Sequence, residues 1–248
     1  MLTPTVCHVI EFHYLVQDLN LASMIEVVSM SNKPFTIPFD DLPESLPIFP
    51  LPNAIVMPGC YLPLNIFEPR YVEMVLDALK ESRLIGMIQP EVADKSGSPL
   101  YRTGTAGRIV SFNELPDGRF LVVLQGICRF DILSEISTDR AYRRVAVYWS
   151  RFREDYQIPH RESGINRSRL MDLLKNYFDR RGFQADWPAF DEIPDSLLVN
   201  MLAGQLPLAI PEKQALIEAV SPEERIFRFM HLLEFEAASS STIESRLH

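Results

Sequence analysis

Short apolar runs separated by prolines dominate the early part of the chain, and apolar residues at helical spacing dominate the later part. Nine prolines fall between Pro34 and Pro69, so this stretch cannot form a helix interior or a central strand. Its apolar runs at 46–51 and 61–67 predict short strands with bends between them. Pro69 then opens a helix at the position that tolerates a missing amide donor, and apolar residues continue at helical spacing up to Lys80.

From Leu84 onward the helical spacing gives way to short apolar runs and turn signals, which predict strands. These predicted strands cover 84–88, 108–114, 119–127, 129–136 and 143–152. A turn at 115–118 joins the predicted strands 108–114 and 119–127, because Pro116 presets the bend and Gly118 takes the left-handed position. Residues 46–153 therefore predict a compact barrel-like sheet that one helix plugs or covers on one side.

After residue 166 the apolar period becomes helical, which predicts a small bundle of four helices. Gly182 and Gly204 mark helix ends, Pro211 marks a start, and 221–224 form a capping box with proline inside it. The predicted organisation is an N-terminal extension at 1–42, a β domain at 43–153, a polar linker at 154–165, a helical subdomain at 166–236 and a flexible tail at 237–248.

The N-terminal extension is moderately apolar and contains no Lys or Arg before Lys33. It therefore lacks the basic start of a signal peptide, and polar residues interrupt it too often for a membrane span. Two interpretations stay open. Translation starts at Met30, or residues 1–29 add a strand or a helix to the fold.

Composition narrows the class of protein. Hydrophobic residues make up 47% and charged residues 23% of the chain, which is typical of a globular protein. The net charge of -9 argues against a general binder of phosphate backbones. The three cysteines, Cys7, Cys60 and Cys128, are widely spaced, which predicts buried reduced thiols and a cytoplasmic location.

Motifs that carry catalysis are missing from the sequence. It has no GxxxxGK[ST] phosphate loop, no GxSxG nucleophile elbow and no HExxH zinc motif. We therefore predict no catalytic residue, no metal ligand and no cofactor. A small hydrolase built on an unmarked pair of carboxylates is the weakest alternative.

Positive charge is concentrated in residues 139–181, which contain eleven Arg and Lys against six Asp and Glu. One interpretation is a solvated face that pairs with the acidic remainder of the chain. The other is a docking patch for an acidic partner or a polynucleotide. The candidate basic docking patch consists of Arg140, Arg143, Arg144, Arg151 and Arg153.

A series of short motifs resembles the N-terminal domain of Lon proteases. These motifs are LPIFPLPN at 46–53, MPG at 57–59, LPLNIFEPRY at 62–71, LIGM at 84–87, GTAGRI at 104–109, DGR at 117–119, LQGICRF at 124–130, LPL at 206–208 and EKQ at 212–214. Their common order across residues 43–236 makes the resemblance strong. The chain looks most like the stand-alone bacterial proteins that carry only this domain.

The resemblance implies an α+β fold, in which a PUA-like β pseudo-barrel with one helix precedes a small helical bundle. In Lon proteases this region helps to recognise substrates ahead of the ATPase, whose motifs are missing here together with those of the Ser–Lys protease. The implied function is a non-enzymatic module that binds exposed apolar segments of unfolded or partly folded proteins, with a protease or chaperone as a further partner. The alternative is a PUA-like nucleic-acid-binding module that uses the Arg-rich segment 139–181.

Seven motif residues are candidates for a site, although we expect them to be structural: Phe67, Glu68, Pro69, Arg70, Tyr71, Gly126 and Arg129. Glu68 should lie near the helix N-terminus, and Tyr71 should lie at the edge of the core. Arg129 should satisfy buried carbonyl groups or pair with an acid such as Glu68.

Overall fold

The structure, a computed structural model, describes residues 37–92, 98–156 and 165–244. Its strands are β1 (Ser45–Pro50), β2 (Tyr61–Ile66), β3 (Leu84–Ile88), β4 (Thr103–Glu114), β5 (Phe120–Ile136) and β6 (Arg143–Tyr148). Its α-helices are α1 (Pro69–Lys80), α2 (Arg167–Arg181), α3 (Trp187–Glu192), α4 (Asp195–Gln205), α5 (Ile210–Glu218) and α6 (Pro222–Glu244). Two 3₁₀ helices, Phe39–Asp41 and Ser150–Tyr156, lie before and after the strands. The predicted α+β class is confirmed.

The sheet closes on itself through its longest strand. The strand order is β2-β5-β4-β3-β1-β6, and β6 also pairs with β5. One edge of β5 therefore pairs with β2 along its first half and with β6 along its second half, while its other edge pairs with β4. β1 and β3 run parallel, and the other pairs in the described sheet are antiparallel. The expectation that the Pro-rich stretch forms no central strand was wrong, because β1 lies between β3 and β6. Its two neighbours overlap only at Ile48, so within the described sheet Pro47 has a paired neighbour on the β6 side alone. The closed arrangement confirms the barrel-like sheet, which we call the barrel.

β5 replaces two predicted strands. The sequence pattern indicated separate strands at 119–127 and 129–136, and this was wrong, because one strand runs through both segments. The alternation breaks at Cys128, where four consecutive residues are buried. The 3₁₀ helix Ser150–Tyr156 packs against this stretch, so both faces of the strand are covered there.

α1 follows its prediction from the first residue to the last. Pro69 stands in the first turn, after Glu68 in an extended conformation, and the helix ends at Lys80. Its buried face includes Tyr71 and Val75, which pack with side chains of β2 and β5. The helix therefore covers one side of the barrel, as the sequence predicted.

The helical part, residues 165–244, packs on the Pro-rich loop between β1 and β2. Its buried cluster takes in Ile55, Met57 and Cys60 from that loop. The apolar run 54–57 is therefore buried without forming a strand. This loop connects the barrel and the helical part through a shared apolar core.

The predicted helix ends are confirmed where a local signal marks them. Gly182 ends α2 in the left-handed conformation, with φ 68°. The backbone N–H of Glu224 donates to the Ser221 hydroxyl at 3.1 Å, as the capping box requires. α3 was not predicted, because six residues are too few for a helical period. α6 runs to Glu244, so residues 237–244 of the predicted flexible tail continue a helix.

The other predicted limits lie largely outside the described residues. The N-terminal extension is described only from residue 37, and most of the predicted linker, 157–164, is likewise outside. The linker was predicted to begin at residue 154, but the 3₁₀ helix continues to Tyr156 because Asp155 is anchored by Arg129. The division into separate domains stays a prediction.

Candidate functional site

The motif at residues 67–71 forms a local cluster at the start of α1. The Nη2 atom of Arg70 lies 2.8 Å from Oε2 of Glu68, and the Arg70 guanidinium lies 4.5 Å from the ring centroid of Tyr71. The Tyr71 ring is buried and contacts the ring of Phe49, and Phe67 packs at the edge of the same core. These contacts fix the entry into the helix.

Arg129 is a fully buried cation on β5. Its Nη2 atom lies 2.7 Å from Oδ1 of Asp155, and its backbone N–H donates to Oδ2 of the same carboxylate at 2.8 Å. Its guanidinium also stacks 4.3 Å from the ring centroid of Phe152. We expected an acid such as Glu68 as the partner, but Glu68 pairs with Arg70 and the 3₁₀ helix supplies the buried acid instead.

The other side of the Arg129 guanidinium faces the end of α5. Its N–H groups donate to the carbonyl oxygens of Ile217, at 2.9 Å, of Ala219, and of Val220, at 3.2 Å. Carbonyl groups at a helix C-terminus lack helical partners and carry partial negative charge, so a guanidinium there stabilises the helix end. The structure thus places Arg129 against buried carbonyl groups, as the sequence predicted.

Gly126 allows the Pro-rich loop to approach β5. A Cβ atom at this position would lie 2.1 Å from the carbonyl oxygen of Met57. The loop is held there by two backbone hydrogen bonds of 2.9 Å, from Gly59 N–H to the Gly126 carbonyl and from Gly126 N–H to the Cys60 carbonyl. The motif glycine is therefore needed for close packing.

Further buried polar side chains connect the helical part to the barrel. Gln214 donates to the Thr103 carbonyl at 3.0 Å and accepts from Gln89 at 3.1 Å. The Lys213 ammonium donates to the Asn53 carbonyl at 2.9 Å, and burial lowers its pKa to about 8. Together with Arg129 these groups form a buried polar interface, in which the side-chain oxygen of Gln89 has no hydrogen-bond partner among the described residues.

The five arginines of the basic docking patch each form an ion pair inside the protein. The pairs are Arg140 with Glu73 at 2.9 Å, Arg143 with Glu135 at 2.7 Å, Arg144 with Glu81 at 2.9 Å, Arg151 with Asp131 at 3.2 Å and Arg153 with Asp40 at 2.7 Å. Their acids lie on α1, directly after α1, on β5 and in a 3₁₀ helix, so the arginines are paired with several different elements. The patch stays a prediction, which these ion pairs weaken.

Three strand segments have an open edge within the described residues. β2 pairs with β5 alone, β4 has no second neighbour beyond residue 109, and β5 has none on its β4 side beyond residue 132. Exposed apolar side chains accompany the last two: Val110 and Phe112 on β4, and Leu133 and Ile136 on β5. The residue pattern does not show which edges are open, because that depends on where neighbouring strands end.

A cleft adjoins the open end of β5. It has a volume of about 280 Å³ and is lined by residues of β5, β6 and the segment before β4, among them Leu100, Arg102, Ile132 and Val145. In the part of the chain that the structure describes, no group of three acidic, His or Cys side chains could hold a metal ion. No described helix is both long and apolar enough to cross a membrane.

The comparison with protein families identifies the class of domain to which this fold belongs. Residues 45–234 match the model of the ATP-dependent protease La (LON) substrate-binding domain. The chain therefore belongs to the LON substrate-binding domain family, which confirms the resemblance noted in the sequence. The match ends inside α6 and leaves the N-terminal extension uncovered.

Relatives with known names are much longer than this chain. Lon protease 2 of Myxococcus xanthus is 28% identical over 204 residues, which are 78% of this chain and 24% of that protein. Lon protease of Dictyoglomus thermophilum is 28% identical over 211 residues, which are 79% of this chain and 25% of that protein. The chain spans about a quarter of the length of these relatives, and the match covers only their substrate-binding part.

Solved structures support the same fold. The Lon N-terminal domain protein from Xanthomonas campestris has a TM-score of 0.55 at 22% identity, covering 75% of this chain and 97% of that one. The N-terminal domain of Mycobacterium avium complex Lon protease has a TM-score of 0.53 at 20% identity, covering 76% and 97%. At these identities the comparison establishes the fold alone.

Proposed function

We propose that this chain is a non-enzymatic module that binds exposed apolar segments of unfolded or partly folded proteins in the cytoplasm. Its family is described by substrate binding, and its named relatives are proteases. The proposal carries over recognition and leaves out cleavage, because the sequence has neither a Walker motif nor the signature of a Ser–Lys protease. A protease or a chaperone would be the natural further partner of such a module.

The observation that carries the proposal is the set of open strand edges beside exposed apolar side chains. An extended peptide can pair with such an edge through its backbone, while alternate side chains enter neighbouring pockets. Backbone pairing is independent of sequence, which suits a protein that must recognise many unfolded chains. Leu133, which bulges out of the pairing between β5 and β6, is 60% exposed at this edge.

The alternative, a nucleic-acid-binding module, rests on the arginines of the basic docking patch. Each of them would have to leave an intramolecular carboxylate before it could contact a phosphate group. The chain as a whole would also repel a polyanion, since its net charge is -9. Both facts favour the peptide-binding proposal.

The experiment is a binding titration with a protein that cannot refold. Fluorescein-labelled α-lactalbumin, reduced and carboxymethylated, is titrated with the purified chain, and disulfide-bonded native α-lactalbumin is the control. We expect saturable binding to the unfolded form and none to the native form. Equal affinity for the unfolded and the native form would contradict the proposal, and so would a lack of binding to both forms. ATP hydrolysis and casein cleavage are measured alongside and should both be absent.

A further inference from the structure

The open edge of β5 arises because this strand extends beyond the start of its neighbour β4. The last contact between them is made by the Ile132 N–H, which donates to the Arg102 carbonyl at 2.8 Å. Beyond it, Leu133 bulges out of the pairing with β6, and residues 134–136 of the described sheet pair with β6 on one side only. A strand with one free edge presents backbone N–H and C=O groups that a further strand can bind. This edge could therefore accept about four residues of an extended peptide.

The cleft beside this edge is large enough for an apolar side chain. Its volume is about 280 Å³, and Leu100, Ile132 and Val145 contribute apolar surface. An engineered apolar cavity of about 150 Å³ already binds benzene. The open edge of β2 is less suited to pairing, because it contains Pro63, which has no backbone donor.

Among the described residues, the charges around the cleft leave one cation without a carboxylate partner. Arg143 and Glu135 neutralise each other through hydrogen bonds of 2.7 and 2.9 Å, and the bonds from Arg143 lower the pKa of Glu135. Arg102 also lines the cleft and is exposed, and no carboxylate among the described residues forms an ion pair with it. A bound segment that carries one carboxylate would complete this arrangement.

We propose that the edge Leu133–Ile136 and its cleft bind an extended segment of a partner protein in which an apolar residue and an acidic residue stand two positions apart. Side chains two apart share a face of a strand, so the apolar one enters the cleft while the carboxylate reaches Arg102. Leu133 and Ile136 provide apolar contact along the edge. This inference rests on the proposed function and specifies the segments that it recognises.

The test uses the full chain and a labelled peptide, Ser-Val-Leu-Thr-Glu-Val-Ser, with binding followed by fluorescence anisotropy. Arg102→Glu should weaken binding by about tenfold or more, since a charge-assisted contact becomes a repulsion. The peptide with Lys in place of Glu should bind the Arg102→Glu variant and restore most of the affinity. Leu133→Ser should weaken both peptides. Lys175→Glu, an exposed charge reversal on α2, is the matched control and should have no effect.

Two peptide variants test the geometry with the unaltered protein. A peptide with Leu and Glu adjacent places them on opposite faces and should bind at least tenfold more weakly. N-methylation of alternate residues should abolish binding in one register only, because only one set of amides faces β5. A loss with Arg102→Glu that the Lys peptide does not reverse would overturn the inference, and so would equal binding of all peptides.

The outcomes also separate this inference from the proposed function. Suppose that unfolded α-lactalbumin binds, and that the changes at Arg102 and Leu133 alter neither its affinity nor that of the peptide. The inference about the cleft is then wrong, and the proposed function is supported. If neither unfolded α-lactalbumin nor the peptide binds, both are wrong.

Discussion

Replacement of Arg129 by leucine should destabilise the protein strongly, because it leaves a buried carboxylate without its cation. Asp155 is 5% exposed at its side chain, and the carbonyl groups of Ile217, Ala219 and Val220 would lose their donors. Removing one partner of a buried ion pair typically costs about 3–5 kcal/mol, and we expect a loss in that range. That is a large part of the roughly 5–15 kcal/mol that stabilises an ordinary domain.

The assay is urea unfolding followed by fluorescence of two reporters. Trp149 lies in the barrel, where its indole donates to the Pro43 carbonyl at 2.9 Å, and Trp187 begins α3 in the helical part. Chains with one tryptophan replaced by phenylalanine report each part separately. In the Arg129→Leu background we expect both midpoints to fall, and the helical part to unfold first because the end of α5 has lost its anchor.

Two controls make this prediction sharp. Arg119→Leu removes an ion pair with Asp117 in an exposed turn, and the urea unfolding midpoint of this variant should match that of the wild type. The double variant Arg129→Leu/Asp155→Leu should recover part of the loss, since it removes the buried charge as well as its partner. A loss of less than about 1 kcal/mol in the free energy of unfolding of Arg129→Leu would refute the reasoning, and so would an equally low stability of the double variant.

Two further predictions concern the interface between the barrel and the helical part. The pKa of Lys213 is about 8 in the folded protein against an ordinary 10.5, so between these values the unfolded chain holds a proton that the folded one has released. The stability of the wild type relative to Lys213→Met should therefore rise by about 3 kcal/mol from pH 7.5 to 10.5 in urea titrations, and parallel curves would contradict this. Gly126→Ala should lower the free energy of unfolding by roughly 2 kcal/mol or more, because its Cβ would overlap the Met57 carbonyl. The matched change Gly204→Ala, whose Cβ would lie at an ordinary contact distance of 3.5 Å, should leave stability unchanged or increase it. An equal loss of stability in both variants would contradict this prediction.

Elements with a local signal were predictable from the sequence. α1 begins at Pro69 because proline suits a first turn, and β3 (Leu84–Ile88) is a short apolar run between polar ends. β4 begins at Thr103, whereas the pattern indicated residue 108, because the small residues before it carry a weak strand signal. Gly104 lies inside β4, where a Cβ would come within 2.5 Å of the Met87 carbonyl oxygen.

Contacts between distant segments could not be predicted in the same way. Asp155 lies in a stretch that looks like a polar linker, and nothing in the sequence marks it as the partner of Arg129. Lys213 occurs in an ordinary amphipathic helix, yet it is buried against two backbone carbonyls. The cleft at Arg102 exists only because β5 extends past the start of β4. Each of these features depends on the tertiary arrangement, which a residue pattern does not contain.

The salt dependence of binding tests the central claim most directly. The affinity for reduced, carboxymethylated α-lactalbumin and for a 20-nucleotide single-stranded RNA is measured from 50 to 200 mM NaCl. If affinity comes from apolar burial and backbone pairing, the unfolded protein should bind with a change of only about two- to threefold across that range, and RNA should bind weakly at every concentration. Tight RNA binding that falls about a hundredfold, as five phosphate contacts would require, and that disappears when Arg143, Arg144 and Arg151 are reversed in charge, would contradict the account and support the nucleic-acid alternative.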